Sequence, residues 1–414
     1  MADLVFAFDA ALDRPIPEPE AAPAGVRAAL ADAPREAFAA AVATARETHA
    51  AALVLLGNTL DPLRASPAQA ASVRHAIAGL AADGCRTVWM VDEPSACTAL
   101  ARALGEPAGL TLVSPLSPLR LDVHGVAVDL VCLPAESRGI AAPARVAPSF
   151  ASEHASLLPA QHRIVVGWDE SWAGSQVAHA VASPISTAGA GSYATSFVWG
   201  SRRPQPIAAG VLQLPALQAR GPREAGPGSC GVLGFTGIAA LADGTSAGAA
   251  TAGRGAAAIG WREVPTHRVV WRALSVASTV GGDEELAAVI QAAFDALVVD
   301  PRGPLQVVRV NVECGTSVSR RVRVAELVAE TMARLRLPDE AAARIWCHDL
   351  GPDPLEPMTI LARGPSGHGH VGGGGATDAF AAALATLVAA REAASPSTLH
   401  REAGWMALEL MGST

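Results

Sequence analysis

Short apolar runs alternate with helical patterns along the first quarter of the chain. Helices are predicted over residues 34–49, with Pro34 in the first turn, and over 67–82. Strands are predicted at residues 3–8, 51–57 and 87–91. Strands that alternate with helices of this length favour right-handed crossovers and a parallel sheet. We therefore expect the polar residues after these strands to meet at the carboxyl edge of the sheet.

The middle of the chain alternates apolar and polar positions, a pattern that is typical of strands with one buried face. His124-Gly125 separates two such runs and predicts a hairpin. Residues 239–257 consist mostly of glycine and alanine and are predicted to form a loop. Further strands are predicted at residues 163–168, 196–200, 207–214, 231–237 and 267–276.

The pattern changes after residue 276 to that of a small α/β unit and a helical tail. The unit is predicted to contain a helix at 283–297, a strand at 305–315 and a helix at 323–336. A glycine-rich break at 364–375 precedes two helical stretches, 376–393 and 397–411. The last stretch presents an apolar surface that needs a partner or a core of its own.

The composition is that of a globular protein with a sizeable core. The chain has 414 residues, of which 50% are hydrophobic, enough for two or three domains. Its apolar runs stay below the roughly 18 residues of a membrane span, and acidic residues stand where a signal peptide would need basic ones. Its six cysteines are scattered without a CxxC pair, which indicates free thiols. These features predict a cytoplasmic protein without membrane association.

Charge gives little reason to expect direct nucleic-acid binding. The 31 basic residues are all arginine, yet the net charge is −8. Any DNA contact would therefore depend on a local arginine patch or on a partner. The arginines of residues 317–324 are most simply interpreted as a solvated face, and a phosphate or partner contact is the functional alternative.

The most specific motif lies in residues 214–235, "LPALQARGPREAGPGSCGVLGF". It resembles a segment of the SbcD-type bacterial DNA-repair exonucleases, which belong to the calcineurin-like metallophosphoesterase superfamily. In that family a Tyr-Pro-Gly strand end leads through Gln-Gly-Arg-His-Pro-Arg-Glu to a Gly-Pro-x-Gly-Cys hairpin. The matching positions are Pro215, Gln218, Arg220, Pro222, Arg223, Glu224, Gly226, Pro227 and Cys230.

The resemblance extends from Asp3 to about residue 345 and implies an α/β architecture, an α+β sandwich with the calcineurin-like metallophosphoesterase fold. It also implies a small α/β capping domain and C-terminal helices. The expected divisions are a metallophosphoesterase-like domain at 1–275, the capping domain at 276–345, and a linker with a helical tail at 346–414.

The family holds two divalent ions, typically manganese, with seven ligands on five turns. The bridging carboxylate, the imidazoles and an amide complete the metal shells, and the paired ions clamp a phosphodiester. By this alignment Asp9 is the one ligand of the seven that is kept. The other six positions hold Ala11 for a histidine, Asn58 for the bridging aspartate, Pro94 for the amide, Gly167 for a lone histidine, and Ser201 and Arg203 for the last two histidines. Ser95 stands where the histidine of the catalytic step would lie.

These replacements imply that the two-metal centre is lost and that no metal cofactor is bound. An asparagine amide cannot supply the negative charge that holds two dications close together, and Arg203 adds a fixed positive charge. The resemblance then implies a catalytically inactive scaffold or regulatory subunit of a DNA-end-processing complex. Its implied partner is an SbcC-like coiled-coil ATPase, docked through the C-terminal helices. The family also suggests a homodimer, and DNA would be bound only weakly or indirectly.

Two other functions remain open. The first is an active metal-dependent phosphoesterase or exonuclease with a rebuilt site that holds a hard cation such as magnesium. Its carboxylates would come from Asp9, Asp13, Asp61, Asp92, Glu93, Asp169 and Glu170. The second is a binding module in which Arg202 and Arg203 recognise an anion.

Three further patterns have a simpler interpretation as loops. "GTSAG" at 244–248 matches the nucleophile elbow of α/β-hydrolases, but the flanking strand and helix that would present Ser246 are not predicted. His368 and His370 lie in a glycine-rich linker without a nearby third metal ligand. His348, Asp349 and Asp353 are assigned to a proline-rich turn region.

Overall fold

The structure is a computed structural model of the chain. It describes residues 2–16, 22–91, 93–115, 117–123, 125–132, 162–169, 194–202, 211–221, 224, 227–236, 258–277, 283–297, 303–313, 326, 327, 330 and 345–351.

The described residues form a mixed α/β structure, which confirms the predicted α/β class. The helices are α1 (Ala24–Glu47), α2 (Pro67–Ala82), α3 (Pro94–Leu104) and α4 (Asp283–Asp295). The strands are β1 (Ala2–Phe8), β2 (Ala52–Leu56), β3 (Arg86–Met90), β4 (Leu110–Val113), β5 (Leu119–Val123), β6 (Val126–Cys132), β7 (His162–Asp169), β8 (Ala194–Ser201), β9 (Val211–Leu214), β10 (Ser229–Thr236), β11 (Ala258–Pro265), β12 (Val269–Ala277), β13 (Leu305–Glu313) and β14 (Ile345–Gly351).

A six-stranded sheet with the order β11-β10-β1-β2-β3-β4 forms the centre of the N-terminal part. Its strands β1 to β4 pair in parallel, as the alternation of strands and helices predicts. β10 and β11 extend the sheet in the antiparallel sense on the other side of β1. The carboxyl ends of β1, β2 and β3 consequently lie at one edge, where the predicted site residues follow them.

Strand β1 is buried on both faces, and its alternating side chains enter two different cores. Leu4, Phe6 and Phe8 join a cluster with side chains of β6, β7 and β8, whereas Val5 and Ala7 join a cluster with α1, α2 and α3. Because successive side chains of a strand point to opposite faces, this division places the helices on one face of the sheet and a second sheet on the other. Helices α1, α2 and α3 and the two sheets thus form three layers.

The second sheet has five strands in the order β5-β6-β7-β8-β9. β5 and β6 form the antiparallel hairpin predicted around Gly125, and the remaining neighbours pair in parallel. β7 and β8 therefore end at the same edge of this sheet. An isolated bridge from Phe8 to Ala216 links β1 to the segment after β9.

The chain divides into two compact units, Met1–Trp271 and Arg272–Thr414. The described part of the second unit includes α4 and the parallel pair β13 and β14. A three-stranded sheet has the order β12-β13-β14. The predicted low-complexity loop at 239–257 and the tail helices at 376–393 and 397–411 lie outside the described residues.

Helix α2 spans the residues predicted for it and has a complete capping box. The Ser66 hydroxyl accepts a bond from the Gln69 backbone N–H at 3.2 Å, and the Gln69 side chain accepts one from the Ser66 N–H at 2.8 Å. The Gln69 amide nitrogen also donates to the carbonyl of Leu12 at 2.7 Å. The start of α2 is thereby tied to the loop that follows β1.

Two predictions about individual elements are wrong. Helix α1 begins at Ala24, so that Pro34 lies inside the helix and is buried instead of starting it. Proline removes one helical hydrogen bond, but the alanine-rich turns on both sides and the burial of this face keep the helix continuous. His348 and Asp349 lie in strand β14 and not in a turn, whereas Asp353 is outside the described residues.

Among the described helices, none combines the length and apolar character that a membrane crossing requires.

His162, at the start of β7, is a buried imidazole between the two sheets. Its Nε2 lies 3.2 Å from the Ser196 hydroxyl, and its ring meets the Phe235 ring edge-on at a centroid distance of 5.6 Å. Burial lowers the pKa of this imidazole to about 4, from 6.5. The native state therefore binds fewer protons than the unfolded chain between these two pH values.

We predict that His162 makes the fold less stable in acid. Its contribution is fully present above pH 6.5 and is lost as the pH falls towards 4, to a total of about 3 kcal/mol. Urea unfolding of the wild type and of His162→Phe at pH 7.5, 5.5 and 4.5 measures this contribution, because the remaining titrating groups are common to both proteins. Equal pH dependence in the two proteins would contradict the prediction.

Candidate functional site

The candidate site lies on the rim, which we define as the residues that end or follow β1, β2, β3, β7 and β8. Its floor is the ring of Phe8, which packs against Gly57 and Gly200. A Cβ atom at either glycine would lie 2.6 Å from this ring, and Gly57 also has a positive φ of 67°. Both positions therefore require glycine, and their backbones approach the end of β1 closely.

Asp9 follows Phe8 directly and lies at the centre of the rim. Its backbone N–H donates to the carbonyl of Leu56 at 3.0 Å, which continues the pairing of β1 with β2 by one residue. The residue is 1% exposed and has a positive φ of 52°. A non-glycine residue in this left-handed conformation is strained, and the strain persists only where surrounding contacts hold the backbone in place. Here the residue that is held in this way carries a buried carboxylate.

The partner of this carboxylate is Arg202, the residue after β8. The guanidinium donates from Nε to Oδ2 at 2.5 Å and from Nη2 to Oδ1 at 3.0 Å. The Arg202 side chain remains 26% exposed, whereas that of Asp9 is 1% exposed. Bidentate, charge-assisted bonds of this kind are among the strongest polar contacts in proteins. Each Asp9 oxygen thus accepts a bond from a cationic side chain.

The next two predicted positions carry no anionic group. Ala11 is fully buried with a positive φ of 46°, and its N–H donates to the Asn58 carbonyl at 2.8 Å. The Asn58 amide nitrogen is buried and has no hydrogen-bond partner among the described residues. The Asn58 amide is neutral, so it cannot supply the negative charge that holds two dications close together.

The space beside Gly167 is filled by an aromatic ring. A Cβ atom at Gly167 would lie 2.4 Å from Cζ3 of Trp199, and the tryptophan is itself buried. The two residues are direct partners in the pairing of β7 with β8. A histidine at position 167 would have to displace this ring, so the packing against Trp199 requires glycine at this position.

The remaining predicted positions contribute no ligand set. Pro94 opens α3, and the exposed Ser95 hydroxyl donates to the Glu93 carboxylate at 3.2 Å. Ser201 is the last residue of β8 and is half-buried, next to Arg202. Arg203 lies outside the described residues.

The carboxylates proposed for a rebuilt site come together only in part. Asp13 accepts a bond from the backbone N–H of Asp61 at 2.9 Å, and each of these carboxylates pairs with an arginine, Arg14 or Arg64. Asp92 and Glu170 are outside the described residues, and only the backbone of Asp169 is described. Within the described part of the chain, no group of three or more His, Cys, Asp or Glu residues could hold a metal ion.

Gln218 of the motif segment has a structural role that its hydrogen bonds define. This buried amide donates to the carbonyls of Ala219 and Val269, both at 2.8 Å. Its oxygen accepts bonds from the backbone N–H groups of Arg268 at 2.8 Å and Val269 at 3.2 Å. All its polar atoms are therefore used to join the segment after β9 to the start of β12.

Arg220 holds the loop that carries Asp9 and Ala11. Its guanidinium donates to the carbonyls of Ala11, Arg14 and Pro15, at 3.2 Å for the first and 3.0 Å for the last. Its backbone N–H donates to Glu224 Oε2 at 2.7 Å. Burial lowers the pKa of Arg220 and raises that of Glu224, and the opposite charges nearby counteract both shifts.

The other motif residues are described in part. Pro215 is half-buried and Pro227 is exposed, and between them Pro222, Arg223 and Gly226 lie outside the described residues. Cys230 is a buried free thiol in β10, and burial raises its pKa.

The described residues do not fit a two-metal centre. Asp9 is engaged by Arg202, Ala11 and Gly167 offer no ligand atom, and Asn58 is neutral. The sequence analysis missed Arg202 as the partner of Asp9 and Trp199 as the group that fills the space at Gly167. The repeated arginine in "GSRRP" was the available signal for the first; the pairing of β7 with β8 that reveals the second needs the fold.

Comparison with protein-family models and with curated protein sequences finds no match to this chain.

We predict that Gly167→His destabilises the fold by about 1–3 kcal/mol, because the new side chain must displace the Trp199 ring. Gly260→His is the matched control: this strand position is exposed, and no atom lies within 4 Å of its added Cβ. Its expected change is within about 0.5 kcal/mol. Denaturant unfolding at pH 8, where free histidines are neutral, measures both; equal stabilities would refute the packing argument.

Proposed function

We propose that this chain is a catalytically inactive, SbcD-like protein with a calcineurin-like metallophosphoesterase fold. In this proposal it acts in the cytoplasm as a scaffold or regulatory subunit of a DNA-end-processing complex. The observation that carries the proposal is the bidentate pair between Asp9 and Arg202, because it joins the one ligand position kept in the alignment to a resident cation.

Electrostatics supports the loss of metal chemistry. A divalent ion about 4 Å from the Arg202 guanidinium would meet a repulsion of roughly 8 kcal/mol at an effective dielectric constant near 20. To avoid it, the ion would have to separate Arg202 from a carboxylate that is 1% exposed. The family mechanism needs two such ions side by side, with a carboxylate between them. Asn58, at the bridging position, supplies a neutral amide.

The architecture supports the proposed family in a second way. The candidate ligand positions lie at the carboxyl ends of neighbouring parallel strands, where α/β sheets bind their ligands. Two motif residues fix the backbone near the rim by hydrogen bonds: Gln218 holds the segment after β9, and Arg220 holds the loop after β1. This arrangement is the one expected of a protein that has the fold of a metal-dependent enzyme but lacks the residues that would bind the metal.

The proposed partner is an SbcC-like coiled-coil ATPase. Docking would use the helices predicted at 376–393 and 397–411, whose apolar residues include Trp405, Leu408 and Leu410. A homodimer, formed through the N-terminal unit, completes the proposed assembly.

We predict that the purified, untagged protein binds no manganese and does not degrade linear duplex DNA. Calorimetric titration with Mn²⁺, elemental analysis and a nuclease assay in the same buffer test this, with an active SbcD-type exonuclease as the positive control. Two bound ions per chain together with DNA cleavage would overturn the proposal in favour of a rebuilt site. Cleavage that continues in Asp9→Asn would place such a site elsewhere on the chain.

We also predict that the full chain co-purifies with a co-expressed SbcC-like ATPase from the same genome, and that deletion of residues 376–414 abolishes this association. The control is a chain in which Trp405 and Leu408 are replaced by alanine, which removes the apolar surface but keeps the tail. Unchanged co-purification of both altered chains would refute docking through these helices.

A further inference from the structure

We propose that the groove between helix α3 and the edge strand β4 binds an extended peptide segment of a partner protein, which adds a strand to the six-stranded sheet. The segment has an aliphatic side chain that enters the groove and an acidic side chain two residues further on. The inference goes beyond the proposed function and does not depend on it, because it rests on α3, β4 and one arginine of α2.

The first observation is the open edge of β4. This strand ends the order β11-β10-β1-β2-β3-β4, and among the described strands none pairs with its outer side. Its odd-numbered residues face β3: the carbonyls of Gly109 and Val113 accept bonds from N–H groups in and after β3 at 2.8 and 3.1 Å. Leu110 and Leu112 therefore present their backbone groups to the outer side. The Leu110 N–H donates to the Pro107 carbonyl, but within the described part of the chain the Leu110 carbonyl and both backbone groups of Leu112 have no partner.

The second observation is a groove beside this edge, on the face of the sheet that α3 covers. It has a volume of about 730 Å³ and is lined by Leu112 and by residues of α3 and its C-terminal end, among them Cys97 and Ala101. Leu112 and Cys97 are half-buried and pack against the helical core. In a strand added to β4 in the antiparallel sense, the residue opposite Leu112 has its side chain on the same face. That side chain enters the groove, where the apolar lining favours an aliphatic group.

The third observation is the charge at one end of the groove. Helix α3 starts beyond the carboxyl end of β3 and leads through a short loop into β4, so its last turn lies near the start of β4. Arg102 belongs to this turn, and Nη1 of Arg74 lies 3.9 Å from the Cβ that a side chain at Gly105 would place. Both arginines are exposed, and neither forms an ion pair with a described residue. Against them stands Glu106. This end is therefore net positive and favours an acidic side chain near the start of β4.

The probe is a fluorescein-labelled heptapeptide, Thr-Ala-Thr-Val-Thr-Asp-Thr, in which the valine is opposite Leu112 and the aspartate lies towards Arg102. We expect the full chain to bind it in a fluorescence anisotropy titration. Binding should also slow amide hydrogen exchange in residues 110–114, because the outward N–H of β4 gains a partner. The control peptide has proline in place of valine, which removes the N–H that would donate to the Leu112 carbonyl, and should bind at least about fivefold more weakly.

Two variants separate the backbone contact from the charge. Leu112→Pro removes the outward N–H but keeps the bonds to β3, so the peptide should bind about fivefold more weakly. Arg102→Glu should weaken binding by a similar factor, and a peptide with lysine in place of aspartate should restore it. Arg27→Glu, an exposed charge reversal on α1, is the matched control and should leave the Kd unchanged. Circular dichroism verifies folding; if Leu112→Pro does not fold, the exposed Arg102→Glu keeps the test open.

Three results would overturn the proposal: no binding at about 1 mM peptide, equal binding of the valine and proline peptides, or an equal loss of affinity in Arg27→Glu and Arg102→Glu. Sedimentation of the chain alone tests a different occupant. A wild-type dimer that Leu112→Pro converts to a monomer would assign this edge to a second copy of the chain and exclude the peptide. These readouts are separate from the metal-binding and nuclease assays that test the proposed function.

Discussion

The rim of this protein depends on one buried negative charge. Asp9 stands at the end of the central strand β1, in a left-handed conformation and almost without solvent contact. A carboxylate in this place can be stabilised by a bound metal, by several hydrogen-bond donors or by a cationic side chain. The chain uses a cationic side chain, that of Arg202. Ala11 is buried in the loop, and the Trp199 ring packs beside Gly167.

Packing explains why the rim can keep its shape without metal. Phe8 fits between two glycines on different strands, and Arg220 holds the loop after β1 by its carbonyls. Gln69 at the start of α2 contacts the same loop through Leu12. The backbone of the loop is therefore fixed by three independent contacts, none of which involves a ligand. A loop that is held in this way tolerates the strained dihedral angles of Asp9 and Ala11.

Much of the fold could be predicted from the sequence because local patterns determine it. Strands β1, β2, β3 and β10 of the first sheet follow from apolar runs, and α2 spans the residues predicted for it and begins with a capping box. Strands β4 and β11 of the same sheet were not predicted. The start of α1 could not, since Pro34 is a stronger signal for a helix start than the uncapped Pro23–Ala24 step. Strand β14 was missed because its polar residues His348 and Asp349 resemble a turn. The site was predicted position by position, but the contact between Asp9 and Arg202 joins residues 193 positions apart, and such a contact follows only from the packing of two sheets.

The hydrogen bonds of Gln218 and Arg220 give the motif segment a role in folding that is independent of any metal. Both side chains bind backbone groups: Gln218 bonds the buried carbonyl of Val269, and Arg220 bonds the carbonyls of Ala11 and Pro15 in the loop after β1. Replacing Gln218 would remove its bonds with the N–H groups of Arg268 and Val269 and with the Val269 carbonyl, whereas the Ala219 carbonyl would keep its bond from Trp271 Nε1 at 3.1 Å. A buried backbone group that loses its partner costs about 1–3 kcal/mol. These contacts are therefore a sufficient reason for the fold to depend on Gln218 and Arg220, whatever the function of the rim.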